Sequence, residues 1–338
     1  MITRRSLLKT GTALTGIALS GSIAPAFAAK SVRITQAVTA LAFIQNYVAQ
    51  SQGFFEAEGL SAEIIDTRGG GPDVQMVLAG RAEFTTNDGA QVLPAIQQGK
   101  KLVCVLNLLN RSIINVTMST KMAADRKITE ESSIEEKIAS LKGLRIGVTR
   151  PGSLTWQLAR SNLVNGGMDP DKDAEIIGVG GASALAAALE NEDIDAMYIS
   201  VPIGDRVVAR GKGITLIDNA RGEDPNIPYF LMEGLWVTPE YLKSDFETVG
   251  KTVRALHTAS KFIVEKSPET VADAVSHVFG SIDREVLVAA CARVAGAVSA
   301  DGRVTAAELT STTNVLRSNG FLKQEFTVPD IFDDRLIG

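Results

Sequence analysis

Hydrophobic and polar positions follow two alternating patterns along this chain. Runs that are uniformly apolar or apolar at every second position indicate strands, and apolar residues every three or four positions indicate helices. The predicted strands cover residues 32–38, 60–67, 82–87, 101–109, 112–120, 144–149, 174–180, 195–200, 213–219 and 229–238. The predicted helices cover residues 42–55, 72–79, 88–98, 153–166, 182–191 and 202–210, and residues 239–320 are mainly helical. This alternation predicts an α/β protein with largely parallel strands.

The pattern also predicts two α/β lobes of similar plan. A charged segment with few strong hydrophobes, "KMAADRKITEESSIEEK" at 121–137, separates two strand–helix series and is expected to be a surface crossing or linker. The stretch "DTRGGGPDVQMVLAGRAEFTT" (66–86) has a counterpart in "IGVGGASALAAALENEDIDAMYIS" (177–200). Each reads as strand, glycine turn, helix and strand. The late strand and helices are expected to return to the first lobe.

Four turns that follow predicted strands contain glycine and lie where open α/β sheets bind ligands. They are residues 68–73, 86–89, 150–153 and 180–183. Asn87 or Asp88 and Ser153 are candidate N-cap residues, and the free backbone N–H groups of such turns favour an anionic group. Each turn alone is also an ordinary strand–helix connection, but two turns per lobe favour a shared cleft. Neither a GxGxxG dinucleotide fingerprint nor a P-loop occurs.

Few side chains near these turns carry recognisable chemistry. Trp156 lies one turn into its helix, where it either stacks on a ligand or fills the core. Tyr198 and Ser200 end a strand before Pro202 and would line a cleft if they pointed inward. Three arginines near strand ends could pair with a carboxylate or sulfonate, although surface arginines are common. They are Arg68, Arg111 and Arg150.

The N-terminus has the features of an export signal. Arg4 and Arg5 precede an uncharged Ala/Gly/Leu-rich run that ends in a small-x-small site at Ala28. The residues around the two arginines resemble the twin-arginine export motif. The apolar run is shorter than the ~20 residues of a membrane anchor. The sequence therefore predicts a signal peptide over residues 1–28, cleavage near Ala28 and a soluble mature protein in the periplasm.

Charge and composition exclude several function classes. The formal net charge is −5, and removing the three positive and no negative charges of the signal gives −8. No basic block remains, which argues against nucleic acid and anionic membrane as partners. Cys104 and Cys291 lie in apolar runs typical of buried positions, and His257 and His277 have no ligand at metal-binding spacing. No metal, cofactor or Ser-His or Cys-His catalytic pair is predicted.

Several motifs together resemble one family. The run "SQGFFEAEGLSAEIIDTRGGGPDVQMVLAGRAEFT" is similar to its G-x-F-x-x-E-G-L, strand, glycine-pair and A-G-x-x-[DE] pattern. The segments "SLKGLRIGVTRPGS" and "GGASALAAALENEDIDAMYISVP" match its second half, and "ADGRVTAAELTSTTNVLRSNGFL" with "VPDIFDD" its helical C-terminus. The chain thus resembles the nitrate/sulfonate/taurine-type substrate-binding proteins of ABC importers, which share a fold with thiamine-pyrimidine synthases.

This resemblance implies a type II periplasmic-binding-protein fold, in which a hinge closes two α/β lobes over a ligand. Lobe I would comprise residues 30–118 and 230–338, and lobe II residues 119–229. Carried over by position, the implied ligand-binding residues are Thr39, Ala40, Leu41, Gly70, Gly71, Asn87, Asp88, Gly89, Ser153, Leu154, Thr155, Trp156, Tyr198, Ser200 and Pro202. Glu192 stands where the family usually has glycine, and Asn191 is expected to take the left-handed turn instead.

The function that the resemblance implies is capture of a small organic anion, such as a sulfonate, a taurine-like solute or an aromatic or aliphatic carboxylate. The protein would be a monomer that delivers its ligand to an ABC permease and its ATPase. An enzyme like the pyrimidine synthases is the first alternative, but their histidines and cysteines are absent from the corresponding loops. A receptor for a TRAP-type secondary transporter is the second alternative. The identity of the ligand does not follow from the sequence.

Overall fold

The structure is a computed structural model that describes residues 29–68 and 71–337. The predicted signal peptide and the candidate ligand residue Gly70 lie outside the described residues. Within them, every predicted strand is present, at slightly different bounds, which confirms the α/β prediction. No helix among these residues is long and apolar enough to cross a membrane.

Two five-stranded sheets have the same topology. The first has the order β2-β1-β3-β10-β4 and consists of Lys30–Gln36 (β1), Leu60–Asp66 (β2), Phe84–Asn87 (β3), Val103–Leu109 (β4) and Glu233–Val237 (β10). The second has the order β7-β6-β8-β5-β9 and consists of Ile114–Ser119 (β5), Arg145–Val148 (β6), Glu175–Gly178 (β7), Ala196–Ser200 (β8) and Gly213–Ile217 (β9). One strand in each sheet, β10 or β5, is antiparallel to both of its neighbours. We call the first sheet with the helices that connect its strands and the C-terminal helices from residue 239 onward lobe I, because those C-terminal helices pack on α1, α4 and β4. The second sheet with its connecting helices is lobe II.

Helices cover both sheets and form a C-terminal layer. Those in the first part of the chain are Ile44–Ser51 (α1), Phe54–Ala57 (α2), Pro72–Leu78 (α3), Gly89–Gln97 (α4), Thr120–Arg126 (α5), Ile134–Ala139 (α6), Leu154–Asn165 (α7), Ala182–Glu190 (α8) and Ile203–Ala209 (α9). The C-terminal helices are Pro239–Ser244 (α10), Phe246–Glu265 (α11), Pro268–Phe279 (α12), Arg284–Ala295 (α13), Ala306–Ser318 (α14) and Val328–Ile331 (α15). Short 3₁₀ helices occur at Leu41–Phe43 and Asn219–Arg221. The predicted single helix over 42–55 is wrong, because Gly53 takes a φ of 70° and separates α1 from α2.

The chain crosses between the lobes twice, and the first crossing disagrees with the expected boundary after residue 118. Strand β5 pairs with β8 and β9, so it belongs to the second sheet and the crossing lies between β4 and β5. The charged segment 121–137 is not a linker between lobes, because it contains α5 and α6, which contact β9. It lacks strong hydrophobes since both helices are largely exposed. The return crossing lies between β9 and β10.

The two sheets repeat one another in side-chain detail. Three pairs of residues 112 positions apart show the match: Arg33 and Arg145, Glu63 and Glu175, and Glu83 and Asp195. The arginine of β1 or β6 lies opposite the glutamate of the parallel neighbour. Its Nη2 atom donates to Glu83 Oε1 at 2.6 Å in lobe I and to Asp195 Oδ1 at 2.7 Å in lobe II. The two similar stretches of sequence are therefore β2–α3–β3 and β7–α8–β8, at equivalent places in the two lobes.

The same offset explains Glu192. Its φ is 62° and that of Gly80, 112 positions earlier, is 66°, while Asn191 has a φ of −89°. The expectation that Asn191 would take the left-handed conformation is therefore wrong. The Glu192 carbonyl oxygen accepts a hydrogen bond of 2.8 Å from Arg145 Nη2, which helps to hold this uncommon backbone conformation.

Candidate functional site

A cavity of about 50 Å³ lies between the two lobes, at the carboxyl ends of the parallel strands. Lobe I and the return crossing line it with Ala37, Val38, Ala42, Phe43, Asp88, Met232 and Glu233. Lobe II lines it with Ile114, Thr149, Ser153, Leu154, Thr155, Ile199 and Ser200. Apart from two carboxyl groups and four hydroxyl groups, these side chains are apolar. A mostly apolar cavity with a few convergent polar groups is typical of a small-molecule site.

Five of the residues predicted to bind ligand meet in this cavity: Asp88, Ser153, Leu154, Thr155 and Ser200. Thr39 lines an adjacent cavity together with Asp66, Arg68 and the N-terminus of α8. The start of the first corner and the second corner thus line one cavity between the lobes. Arg68 is the only one of the three candidate arginines that lines either cavity among the described residues.

The remaining candidates that the structure describes do not line the cavity. Ala40, Leu41 and Asn87 are buried, and Gly71 precedes α3 on another surface. Tyr198 is fully buried and donates a 2.8 Å hydrogen bond from its hydroxyl to Asn162 Oδ1, inside lobe II. Pro202 is buried at the start of α9.

Gly89 has a packing role that helps to shape the site. A Cβ atom at this position would lie 2.9 Å from Leu231 Cδ2, so only glycine lets the return crossing pass this close to α4. The Gly89 N–H donates to the Leu231 carbonyl oxygen at 2.9 Å. This contact places Met232 and Glu233 at the cavity.

Asp88 and Glu233 form the acidic wall of the cavity, the name used below for this pair. Asp88 caps α4 by accepting the Gln91 N–H at 2.8 Å, and its side chain is 7 % exposed. Burial raises the pKa of Asp88 to about 8, and the neighbouring Asp73 adds to this rise. Glu233 begins β10 and is 2 % exposed. Burial, with Asp88 and Asp73 nearby, raises its pKa well above the ordinary value.

The opposite side is the hydroxyl wall, formed by Thr149, Ser153, Thr155 and Ser200. The Thr149 hydroxyl lies 2.8 Å from Ser153 Oγ and 2.9 Å from Thr155 Oγ1. Ser153 also caps α7 by accepting the Trp156 N–H and donates to the Arg150 carbonyl oxygen at 2.7 Å. These bonds fix the hydroxyls of Thr149, Ser153 and Thr155 at the N-terminus of α7, where backbone N–H groups favour negative charge. Ser200 lies at the end of β8.

Contacts between the lobes close the cavity on one side near α4 and α7. Gln91 Nε2 donates to the Gly152 carbonyl oxygen at 2.6 Å, and Asn319 Nδ2 donates to the Gln157 carbonyl oxygen at 2.9 Å. Trp156 packs edge-to-face on Phe321, with ring centroids 5.4 Å apart. Trp156 therefore contacts the other lobe rather than the cavity. The sequence analysis considered only stacking on a ligand or filling the core.

A cluster of charges joins the lobes on another side. Arg293 of α13 pairs with Asp205 of α9, and its Nη1 atom lies 3.1 Å from Asp218 Oδ2. The Arg293 side chain is 17 % exposed. The pKa of Asp205 is raised, because the effect of burial is larger than the opposite effect of Arg293.

Sequence reasoning missed Glu233, the most buried polar group of the cavity. The signal was present, because "YFLMEGLWVT" contains a single carboxylate in an otherwise apolar strand. A buried charge without an obvious partner is expensive, so such a residue is a candidate for function. Sequence reasoning did not use this signal, since it followed glycine turns and not strand interiors.

The described residues contain no cluster of His, Cys, Asp and Glu that could hold a metal ion. Cys104 and Cys291 are buried, as the sequence predicts, and both are free; burial raises the pKa of both thiols. Neither cysteine and neither histidine lines the cavity.

The fold thus consists of two similar α/β lobes with a cavity between them. Residues 41–270 match the model of the NMT1/THI5 like family, so the chain belongs to that family. This confirms the resemblance predicted from the motifs.

Similar proteins agree with this fold. The chain is 22% identical over 256 residues to the putative binding protein YtlA of Bacillus subtilis, covering 76% of this chain and 73% of YtlA. A protein from Bordetella bronchiseptica RB50 has a similar structure, with a TM-score of 0.78 and 23% identity over 92% of this chain and 96% of that one. The alkanesulfonate-binding protein SsuA of Xanthomonas axonopodis, bound to MOPS, has a TM-score of 0.70 and 16% identity over 90% of this chain and 98% of its own. These likenesses confirm the periplasmic-binding-protein fold.

Proposed function

We propose that this protein is an extracytoplasmic solute-binding protein of an ABC importer. It captures a small organic solute of the sulfonate, taurine-like or carboxylate class between its lobes and delivers it to a membrane permease and its ATPase. The observation that carries this proposal is the cavity itself, which both lobes line and whose rim is held by contacts between them. Export of the mature chain to the periplasm by a cleaved twin-arginine signal belongs to the same proposal.

A binding role suits the cavity better than catalysis does. Its polar groups are carboxyls and hydroxyls, and no cysteine or histidine nucleophile lines it. The hydroxyls of Thr149, Ser153 and Thr155 are bonded to one another and to the Arg150 carbonyl oxygen, and no histidine lines the cavity to activate one of them for attack. The two crossings between the sheets would act as the hinge that opens and closes the cavity.

The proposal is tested by thermal shift on residues 29–338 with sulfonates, taurine-like solutes, carboxylates, nitrate and pyrimidines. A solute that binds only the folded state raises the melting temperature. We expect at least one compound of the first three classes to do so in a saturable manner. If none does, and the protein converts a pyrimidine or pyridoxal substrate instead, the proposal is wrong.

A further inference from the structure

Glu233 is a buried carboxyl group with one oxygen that the fold leaves unsatisfied. Its side chain is 2 % exposed and lines the cavity, and its Oε2 atom has no hydrogen-bond partner among the described residues. Buried polar atoms are nearly always hydrogen-bonded, and an exception needs an explanation. A partner supplied by a ligand in the cavity is such an explanation.

The charges around Glu233 define which partner it favours. The titratable groups that act on it are Asp88, at the start of α4, and Asp73, at the start of α3. Asp73 accepts the backbone N–H groups of Gly71 and Val74, and the charge of Arg150 lowers the pKa of Asp73. Among the residues that the structure describes, no lysine or arginine lines the cavity itself. A cationic group placed here would relieve the repulsion among these acids, whereas an anionic group would increase it.

The hydroxyl wall has the opposite preference. Thr149, Ser153 and Thr155 supply hydroxyl groups at the start of α7, a helix of 12 residues. The positive end of the helix and these hydroxyls suit an anionic group. The cavity therefore carries a preference for positive charge on one wall and for negative charge on the other.

We propose, on the basis of the proposed function, that this site selects small solutes that carry a protonated amine together with an anionic group. The ammonium binds the acidic wall at Glu233 and Asp88, and the anionic group binds the hydroxyl wall at the start of α7. A simple anion without an amine satisfies only one wall.

Matched probes separate these two ligand classes. Taurine and isethionate share a two-carbon sulfonate and differ in having an ammonium or a hydroxyl group, and β-alanine and 3-hydroxypropionate are the matching carboxylates. We expect calorimetry on residues 29–338 to give at least tenfold tighter binding for the amine of at least one pair. The amine affinity should rise from pH 5.5 to 8, because the acidic wall must lose protons to form the ion pair and burial raises the pKa of both its carboxyls. An aliphatic ammonium stays charged over this window.

Substitutions test the assignment of the two walls. Glu233→Gln keeps the shape but removes the charge, and it should weaken amine binding at least tenfold and flatten its pH dependence. Glu308→Gln is the matched control, because Glu308 is also 2 % exposed but does not line the cavity. Its Oε2 atom accepts a hydrogen bond of 2.6 Å from Asn107 Nδ2. This control variant should change the affinity less than twofold.

Each outcome decides between the two proposals. If isethionate, 3-hydroxypropionate or nitrate binds as tightly as the amines, or binds more tightly at pH 5.5 than at pH 8, this inference fails while the proposed function stands. Tighter binding of a simple anion at pH 5.5 would mean that the protonated carboxyls of the acidic wall donate hydrogen bonds to it. If neither the amines nor the simple anions bind, both the inference and the proposed ligand class fail.

Discussion

The two lobes share a backbone plan but face the cavity with different side chains. Asp88 of lobe I and Ser200 of lobe II are 112 positions apart, as are Phe43 and Thr155. All four residues line the cavity. Glu233 and Ile114 are also equivalent positions, on the antiparallel strand of each sheet. The next residue after each of them lies opposite Asn87 in lobe I and opposite Ile199 in lobe II. The repeated corners thus supply a common frame, and differences at matching positions supply an acidic wall and a hydroxyl wall.

The largest expected difference between the lobes is in the effect of a side chain at Gly147 of β6 on stability. Thr35 of β1 is the equivalent position in lobe I. Thr35 is fully buried, whereas a Cβ at position 147 would lie 2.3 Å from Ile194 Cδ1. Gly147→Thr should therefore overpack lobe II and lower the free energy of unfolding by about 3 kcal/mol in urea titrations. Gly181→Ala, where a Cβ meets nothing within 4 Å, is the control. Equal stability of the two variants would contradict the packing account.

Arg293 joins the lobes through Asp205 and Asp218, so its removal tests whether this contact holds them together. Arg293→Ala leaves the partly buried Asp205 without its cation and Asp218 with only the more distant Arg221, and it should lower the free energy of unfolding by about 2 kcal/mol. Arg284→Ala breaks an exposed pair with Asp273 and should change it by less than about 0.5 kcal/mol. If the two variants are equally stable, the inter-lobe cluster contributes little.

Trp156 was expected at the ligand but contacts Phe321 of the other lobe. Trp156→Ala should weaken binding of the solute about tenfold, which is about 1.4 kcal/mol, because it destabilises the closed form. The measurement is a double-mutant cycle with Phe321→Ala by calorimetry. A coupling energy near zero would mean that the indole acts elsewhere, for example on a ligand in an open form.

The smallest expected effect on stability tests whether the two lobes are equivalent at their matching ion pairs. The pairs Arg33–Glu83 and Arg145–Asp195 have similar geometry, and their arginines are 38% and 41% exposed. Glu83→Gln and Asp195→Asn should each cost up to about 1 kcal/mol, because solvent screens such pairs. Chemical denaturation should give values within about 0.5 kcal/mol of each other, and a large difference would show that the repeat is not equivalent at this position.

Much of this fold could be predicted from the sequence because strands have a strong local pattern. Strand pairing could not, since "SIINVTMST" indicates a strand but does not show that β5 inserts between β8 and β9 in the second sheet. At the site, the glycine turns that follow strands indicated Asp88 and Ser153, and the family resemblance added Thr155. Glu233 depends on a distant return crossing that Gly89 lets pass close to α4. Trp156 depends on Phe321, 165 positions away, and no local pattern reports such a contact.

The central claim is that a solute binds between the lobes and holds them closed. Small-angle X-ray scattering of residues 29–338, with and without a saturating solute that calorimetry shows to bind, tests it most directly. The account predicts a smaller radius of gyration and maximum dimension when the solute is bound, because closure brings the acidic and hydroxyl walls together. Identical scattering curves with the solute fully bound would contradict it.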